Sequence, residues 1–266
     1  MPEFAGTNLQ GANTTRAQLL RPYPHFTAVT AATNEGYSWY HSMQVRFDKR
    51  FSGGFTVQGS YAWSKFMEAT TLLNDADLRP HEAISTLDRP HRVTMSGIWE
   101  LPLGKGRRWL NGGPAVLDYT AGGWSFNWIF QAQSGQPLDW GNVLFRGDIK
   151  DIVLPDGQRT VDRYFNTEAG FEKSAQRQLA SNLRTFPQRL SGVRGPGFST
   201  WDMSIIKRVN ITEKLKLEFR AEAQDALNQA VFSNPNTSPT NTLFGQINSV
   251  QGSAQRRVTL GGKLLW

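Results

Sequence analysis

Apolar and polar residues alternate at period two in seven separate stretches of the chain, the pattern of strands buried on one face only. In the first, Trp39, His41, Met43, Val45, Phe47, Lys49 and Phe51 interleave with Tyr40, Ser42, Gln44, Arg46, Asp48 and Arg50, so one face is mostly apolar and the other polar. After Ser52-Gly53-Gly54, Phe55, Val57, Tyr61 and Trp63 interleave with Thr56, Gln58, Ser60 and Ser64. The third sets Val93, Met95, Trp99 and Leu101 against Arg92, Thr94, Ser96 and Glu100. The fourth sets Trp124, Phe126, Trp128 and Phe130 against Ser125, Asn127, Gln131 and Gln133. In the fifth, Trp201, Met203, Ile205 and Val209 oppose Thr200, Asp202, Ser204 and Arg208. The sixth is strictest: Leu215, Leu217, Phe219, Ala221 and Ala223 alternate with Lys216, Glu218, Arg220, Glu222 and Gln224. The last sets Val258, Leu260, Leu264 and Trp266 against Arg257, Thr259 and Lys263. These patterns predict strands near 38–51, 54–66, 91–102, 122–135, 199–210, 213–228 and 255–266.

The predicted strands are longer than the five or six residues usual in soluble sheets. They match the roughly 9–11 residues that a tilted transmembrane strand needs. Trp and Tyr lie near the strand ends on the apolar faces, as in interfacial girdles, and Arg, Glu and Asp on the other faces suit a wet interior. A soluble β-sandwich also alternates, but these features favour an all-β, antiparallel transmembrane β-barrel. Connections at 52–54 and 210–213 are short, whereas 66–90, 140–198 and 229–253 are long. Outer-membrane barrels turn tightly on the periplasmic side and carry long loops outside. The final strand then ends in the periplasm. The 103–122 connection must also be periplasmic, yet it is not short.

This gives a division into an extracellular loop region, 1–36, and a partial barrel, 37–266. Seven strands are odd in number and fewer than the eight of the smallest single-chain bacterial barrels. Pro22, Pro24 and the Ala-Thr-rich stretch 27–33 make a poor spanning strand, so further strands are expected upstream. The first residues lack a charged n-region, an apolar h-region and a cleavage site; a barrel must be exported, so the expectation is either that the natural N-terminus lies upstream or that the barrel reading fails.

Composition narrows the picture. Nine Trp coexist with a mean hydropathy of -0.45, and no apolar run approaches the ~18 residues of a spanning helix. The net charge of +7 is dispersed among acids and turns. That argues against nucleic acid as a partner, since such binders gather their cations on one face. It suits outer-membrane lipid and lipopolysaccharide instead. With no cysteine, disulfides, thiolate zinc and thiol nucleophiles are excluded.

Candidate chemistry is sparse. Gly104-Lys105-Gly106-Arg107-Arg108 is basic but lacks the phosphate-loop spacing, and reads as a turn. Asp88-Arg89-Pro90-His91 offers a lone His without convergent partners. Asn74, Asp75 and Asp77 lack calcium-loop periodicity. His25, His41, His81 and His91 form no defensible triad spacing. The expectation is therefore no enzyme, cofactor or metal. The 140–198 loop carries nine Lys/Arg and six Asp/Glu with Phe145, Tyr164, Phe165, Phe171 and Phe186. It could grip a ligand or pack a small core of its own.

Six ordered stretches carry a resemblance: QLLRPYPHF (18–26), YHSMQVRFDKRFSGGFTVQGSYAWSK (40–65), LDRPHRVTMSGIWELPLGKGRR (87–108), VDRYFNTEAGF (161–171), GVRGPGFSTWDMSIIKR (192–208) and LEFRAEAQDALNQAVFSNPN (217–236). In this order and spacing the chain resembles the C-terminal barrel portion of Oar-like TonB-dependent receptors, which carry a carboxypeptidase-regulatory-like domain. The resemblance implies a 22-stranded barrel with an N-terminal plug, in a Gram-negative outer membrane. It also implies nutrient uptake energised through contact between a TonB box and the TonB complex. The plug, the TonB box and the regulatory-like domain fall outside these residues. Gln44, Arg46, Gln58, Glu218, Arg220 and Glu222 would face the lumen. Trp266 with Val258, Leu260 and Leu264 resembles the signal read by the barrel-assembly machinery, and equally suits an interfacial anchor. Similar proteins usually read AFNLFN after RAEA. Here Gln224-Asp225-Ala226-Leu227-Asn228 follows, which would put Asp225 toward lipid and questions the end of the sixth strand. Two other readings stay open: a structural or adhesion barrel without TonB coupling, and a soluble carbohydrate-binding β-domain.

Overall fold

A computed structural model describes residues 2–27, 29, 34–178, 182–212, 214–251 and 255–266. The chain divides into two compact units, Met1–Gly36 and Tyr37–Trp266. The first holds a short helix α1 (Arg16–Leu19), whose first turn is capped by Thr15 Oγ1 accepting from the Gln18 amide at 3.2 Å. Gln18 Nε2 in turn donates to the Pro24 and Phe26 carbonyls at 2.6 and 2.9 Å, folding the segment back on itself. Most of the 27–33 stretch set aside as a strand lies outside the described residues.

The second unit is built on strands β1 (Tyr37–Ser52), β2 (Phe55–Ala69), β3 (Ala83–Ile84), β4 (His91–Glu100), β5 (Trp124–Gln133), β6 (Pro137–Asp139), β7 (Arg189–Arg194), β8 (Phe198–Asn210), β9 (Lys216–Gln224) and β10 (Arg257–Leu265). The seven long strands form one antiparallel meander in the order β1-β2-β4-β5-β8-β9-β10. The two-residue β3 pairs with β2, and β6 and β7 form a separate ribbon. The strands β1 and β10 are the edges of this sheet.

Register turns seven separate alternations into two continuous faces. One row reads Phe55, Trp99, Phe126, Ile205, Ala221 and Leu260 across six strands. The adjacent row reads Thr56, Ile98, Asn127, Ser204, Glu222 and Thr259. A slip of one residue in any pair would interrupt both faces. The apolar face stays exposed: Phe219 is 52%, Val258 61% and Leu260 78% accessible. Gly97 fits this face because Trp128, its partner on β5, lies over it. A Cβ there would fall 2.8 Å from the indole nitrogen.

The structure corrects two sequence expectations. The sixth predicted strand ends at Gln224 rather than 228, and its predicted first residue, 213, lies outside the described residues. Asp225 and Asn228 adopt left-handed backbone, with φ of 44° and 53°, which breaks an extended strand. Asp225 therefore does not face lipid. It is buried, with its amide donating to Asp202 Oδ1 at 2.9 Å and its Oδ1 accepting from the Gln229 amide at 3.2 Å. The 103–122 connection, second, is not a plain turn. It contains helix α2 (Ala115–Ala121), entered from Pro114 and left at Gly122.

Where the sheet meets the long connections, a hydrophobic core forms outside the sheet. Leu138, Trp140, Val143, Ile152, Phe165, Phe171, Phe186, Leu190, Val193 and Phe244 are buried together. Trp140 packs against Phe165, Phe171 and Phe186 with ring centroids 5.1–5.5 Å apart. The 140–198 loop thus packs a core of its own, and Phe244 comes from the next long connection.

Candidate functional site

The polar face of the sheet carries the candidate site. Cross-strand hydrogen bonds follow from register: Gln58 Nε2 donates to Ser96 Oγ at 3.1 Å, and Asn127 Nδ2 to Ser204 Oγ at 3.0 Å. Ser60 and Thr94 hydroxyls meet at 2.6 Å. Between these ladders lies a groove of about 560 Å³, whose polar side chains include Gln58, Ser96, Asn127, Asp202, Ser204 and Glu222. A second recess, about 300 Å³, adjoins Arg46, Gln58 and Gln131.

Charges on this face are cross-linked. Glu218 accepts from Arg208 at 2.8 Å and Arg220 at 3.3 Å, and Arg220 also reaches Glu222 at 3.1 Å. Arg46 pairs with Asp48 at 2.6 Å. The six residues expected to face the lumen all fall on the polar face, but they do not form one cluster. Gln58 and Glu222 line the larger groove and Arg46 the smaller. Gln44 lies outside both, beside Ser42, while Glu218 and Arg220 sit toward the short-turn end. Register, which sequence does not disclose, decides this grouping and adds Asn127 and Asp202.

Charged side chains clamp the loop core to the sheet. Asp88 is fully buried: Oδ1 accepts from the Phe66 amide at 2.6 Å, and Oδ2 from Arg194 Nη2 at 2.5 Å. Arg189 of β7 bridges Glu68 at 2.7 Å and Asp139 at 3.1 Å, and donates to the Ile84 carbonyl. Asn74 Oδ1 accepts from the Arg184 amide at 2.6 Å. Arg184 and Arg89 are both held below the ordinary guanidinium value, chiefly because burial disfavours the charge. Partners 106 or 121 residues apart leave no local signal in a sequence.

The other candidates make contacts with their own surroundings. The amides of Lys105 and Gly106 are taken by Asp118 Oδ1 and Asn111 Oδ1, each at 2.6 Å, so the basic turn cradles its own side chains. Asn74 and Asp77 close a turn, with the Asn74 amide donating to Asp77 Oδ2 at 2.8 Å. His91 Nδ1 meets Tyr61 Oη at 2.8 Å, on the apolar side of the sheet. Among the described residues no group of three or more acidic or histidine side chains is placed to hold a metal. Val258, Leu260 and Leu264 share the apolar face of β10, and Trp266 is 91% accessible just beyond it.

A family model described as outer membrane beta barrel domain matches residues 2–259. Comparisons with curated proteins and with solved structures gave no match.

Proposed function

We propose, from the premise that the chain belongs to the outer membrane beta barrel domain family, that it forms part of the wall of a TonB-dependent transporter. The observation that carries this reading is the groove of about 560 Å³ bordered by Gln58, Asn127, Asp202 and Glu222, on the sheet face opposite the lipid-facing one. A barrel of few strands fills its interior with side chains, whereas a wide one leaves room for a plug or a solute path. Asp202, Glu222, Gln58 and Asn127 would hold a plug through hydrogen bonds or line the path beside it. Gln44, Arg46, Glu218 and Arg220 would extend that polar wall. The folded loop core, braced by Asp88 and Arg189, would frame the external mouth.

TonB coupling, the Oar-like relationship and the carboxypeptidase-regulatory-like domain rest on the sequence resemblance. So do a Gram-negative host and the total of 22 strands. In this reading the partners are membrane lipid and lipopolysaccharide, the barrel-assembly machinery acting on the β10 terminus, the TonB complex and an imported nutrient. No catalytic step is assigned. A structural or adhesion barrel is the competing reading, favoured by how much of the outer loop mass is a fixed core. Family membership and the exposed apolar face set a soluble carbohydrate-binding domain aside.

The experiment is to read the coding frame upstream of Met1 and to cross-link the encoded protein to TonB in cells. A plug, a TonB box and a TonB adduct support transport. An outer-membrane protein with none of these is the adhesion or structural barrel.

A further inference from the structure

The 101–123 connection is far longer than its neighbours at the short-turn end, and it is rigidly built. Asp118 of α2 holds the Lys105 amide. Gly104, at φ 105°, leaves no room for a Cβ, which would fall 2.5 Å from Asp118 Oδ1 and 2.8 Å from the Gly122 Cα. The segment also folds onto the apolar side of the sheet. Trp124, Lys207 and Phe219 are lateral neighbours on that face. Lys207 is buried, 7% exposed as a residue, and its ammonium donates to the Thr120 and Gly122 carbonyls and lies 5.3 Å from the Trp124 ring centroid. Trp124 Nε1 donates to the Thr120 carbonyl at 2.9 Å. The carbonyl end of α2 therefore covers a cation at the rim of the lipid-facing surface, where a bare ammonium would be costly.

The rest of the segment has no core to enter. Trp109 is 54% exposed, Leu110 45%, Val116 69% and Tyr119 51%. Basic residues surround them. Arg107 is paired with Glu100 at 2.8 Å, but among the described residues Lys105 and Arg108 have no acidic partner. The Arg108 guanidinium sits 5.8 Å from the Trp109 ring centroid. Exposed aromatic and aliphatic side chains bordered by cations, continuous with a lipid-facing surface, have the chemistry of an in-plane membrane anchor.

We propose that residues 101–123 are such an anchor, seated in the periplasmic leaflet of the outer membrane. Trp109, Leu110, Val116 and Tyr119 enter the acyl boundary, and Lys105 and Arg108 take the phosphates of anionic phospholipid. This rests on the barrel reading and on the periplasmic placement of the short turns. Besides anchoring, the segment holds the Lys207 ring of contacts at a fixed depth.

The chain has no cysteine, so single labels can be placed cleanly. The purified protein is reconstituted in phosphatidylcholine vesicles with or without phosphatidylglycerol, carrying a nitroxide at Val116→Cys or, as a control, Leu260→Cys. Collision with oxygen reports lipid, and collision with a water-soluble nickel chelate reports solvent. The Val116 label is expected to collide mainly with oxygen. Phosphatidylglycerol should favour the inserted state by roughly fivefold per cation. Lys105→Gln with Arg108→Gln should abolish that increment and leave the Leu260 label unchanged. A lipid-exposed Leu260 label with a solvent-exposed Val116 label in both lipids would overturn the anchor. Insertion indifferent to both phosphatidylglycerol and the Gln pair would overturn phosphate recognition. A Val116 label shielded from both reagents would mean that protein, not lipid, covers the segment. A solvent-exposed Leu260 label would instead overturn the barrel reading beneath.

Discussion

Replacing Asp88 by Ala removes the anion that joins the end of β2 to β7. Its carboxylate is completely buried, while the Arg194 side chain is 17% exposed. Breaking a buried pair by deleting one partner costs about 3–5 kcal/mol, because the remaining charge is left uncompensated. Arg194 keeps weaker bonds to the Ser191 and Gly135 carbonyls and some water, which places the loss near the lower end. The Phe66 amide also loses its acceptor, a penalty of roughly 1–3 kcal/mol that overlaps the first. A total of about 3–4 kcal/mol follows for Asp88→Ala. Asp88→Asn keeps an acceptor for Phe66 and should cost about 2 kcal/mol, the worth of a hydrogen bond to a charged group. Equilibrium urea unfolding in lipid vesicles, followed by tryptophan emission, reads both values. In the double-mutant cycle, Asp88→Ala with Arg194→Ala should cost well under the sum of the single changes. A loss below ~1 kcal/mol for Asp88→Ala, or strict additivity with Arg194→Ala, would refute the clamp.

Further outcomes follow from the same contacts. Gly97→Val should cost about 1–3 kcal/mol by overpacking, because its Cβ would meet the Trp128 indole, and displacement of that ring should shift its emission. Phe165→Ala should destabilise the loop core by about 3–5 kcal/mol and expose the 140–198 segment to limited proteolysis, with the sheet's circular dichroism unchanged. Lys173 holds the Glu168 carboxyl below its ordinary value through a hydrogen bond and its charge. That stabilisation is present above the unfolded value near 4.3 and is lost as pH falls through the lower folded one. Glu168→Gln should remove this pH-dependent part, no more than roughly 1 kcal/mol for so exposed a pair, in unfolding measured across that range. Arg46→Ala, which breaks the exposed pair with Asp48, should leave the unfolding midpoint in the same assay unchanged, because solvent screens so open a pair.

The strands were legible in the sequence because a half-buried strand must alternate, and Leu217, Phe219 and Ala221 against Glu218, Arg220 and Glu222 leave no other period. Two of the neighbour pairs, β1 with β2 and β8 with β9, were also accessible, since the short turns at 52–54 and 210–213 force hairpins. The end of β9 was harder to read. Asp225 and Asn228 tolerate left-handed backbone, and the alternation through Ala223 gave no sign that the chain would turn there. Helix α2 was hidden for a different reason. Its seven residues stand on contacts with Gly104, Trp124 and Lys207, which lie 11 or more residues from its nearest end or beyond a turn, not on propensity. The groove escaped notice because Gln58, Asn127 and Glu222 become neighbours only once the register of five strands is known. Charge clamps such as Asp88–Arg194 share that fate.

The central claim is that one face of this sheet meets lipid and the other meets water. A nitroxide scan along β9 in vesicles tests it most directly, because that strand is paired on both sides and each position can carry the chain's single cysteine. Labels at 217, 219 and 221 should collide mainly with oxygen, and labels at 218, 220 and 222 with the water-soluble nickel chelate, alternating at every step. Uniform accessibility, or alternation in the opposite phase, would contradict the account.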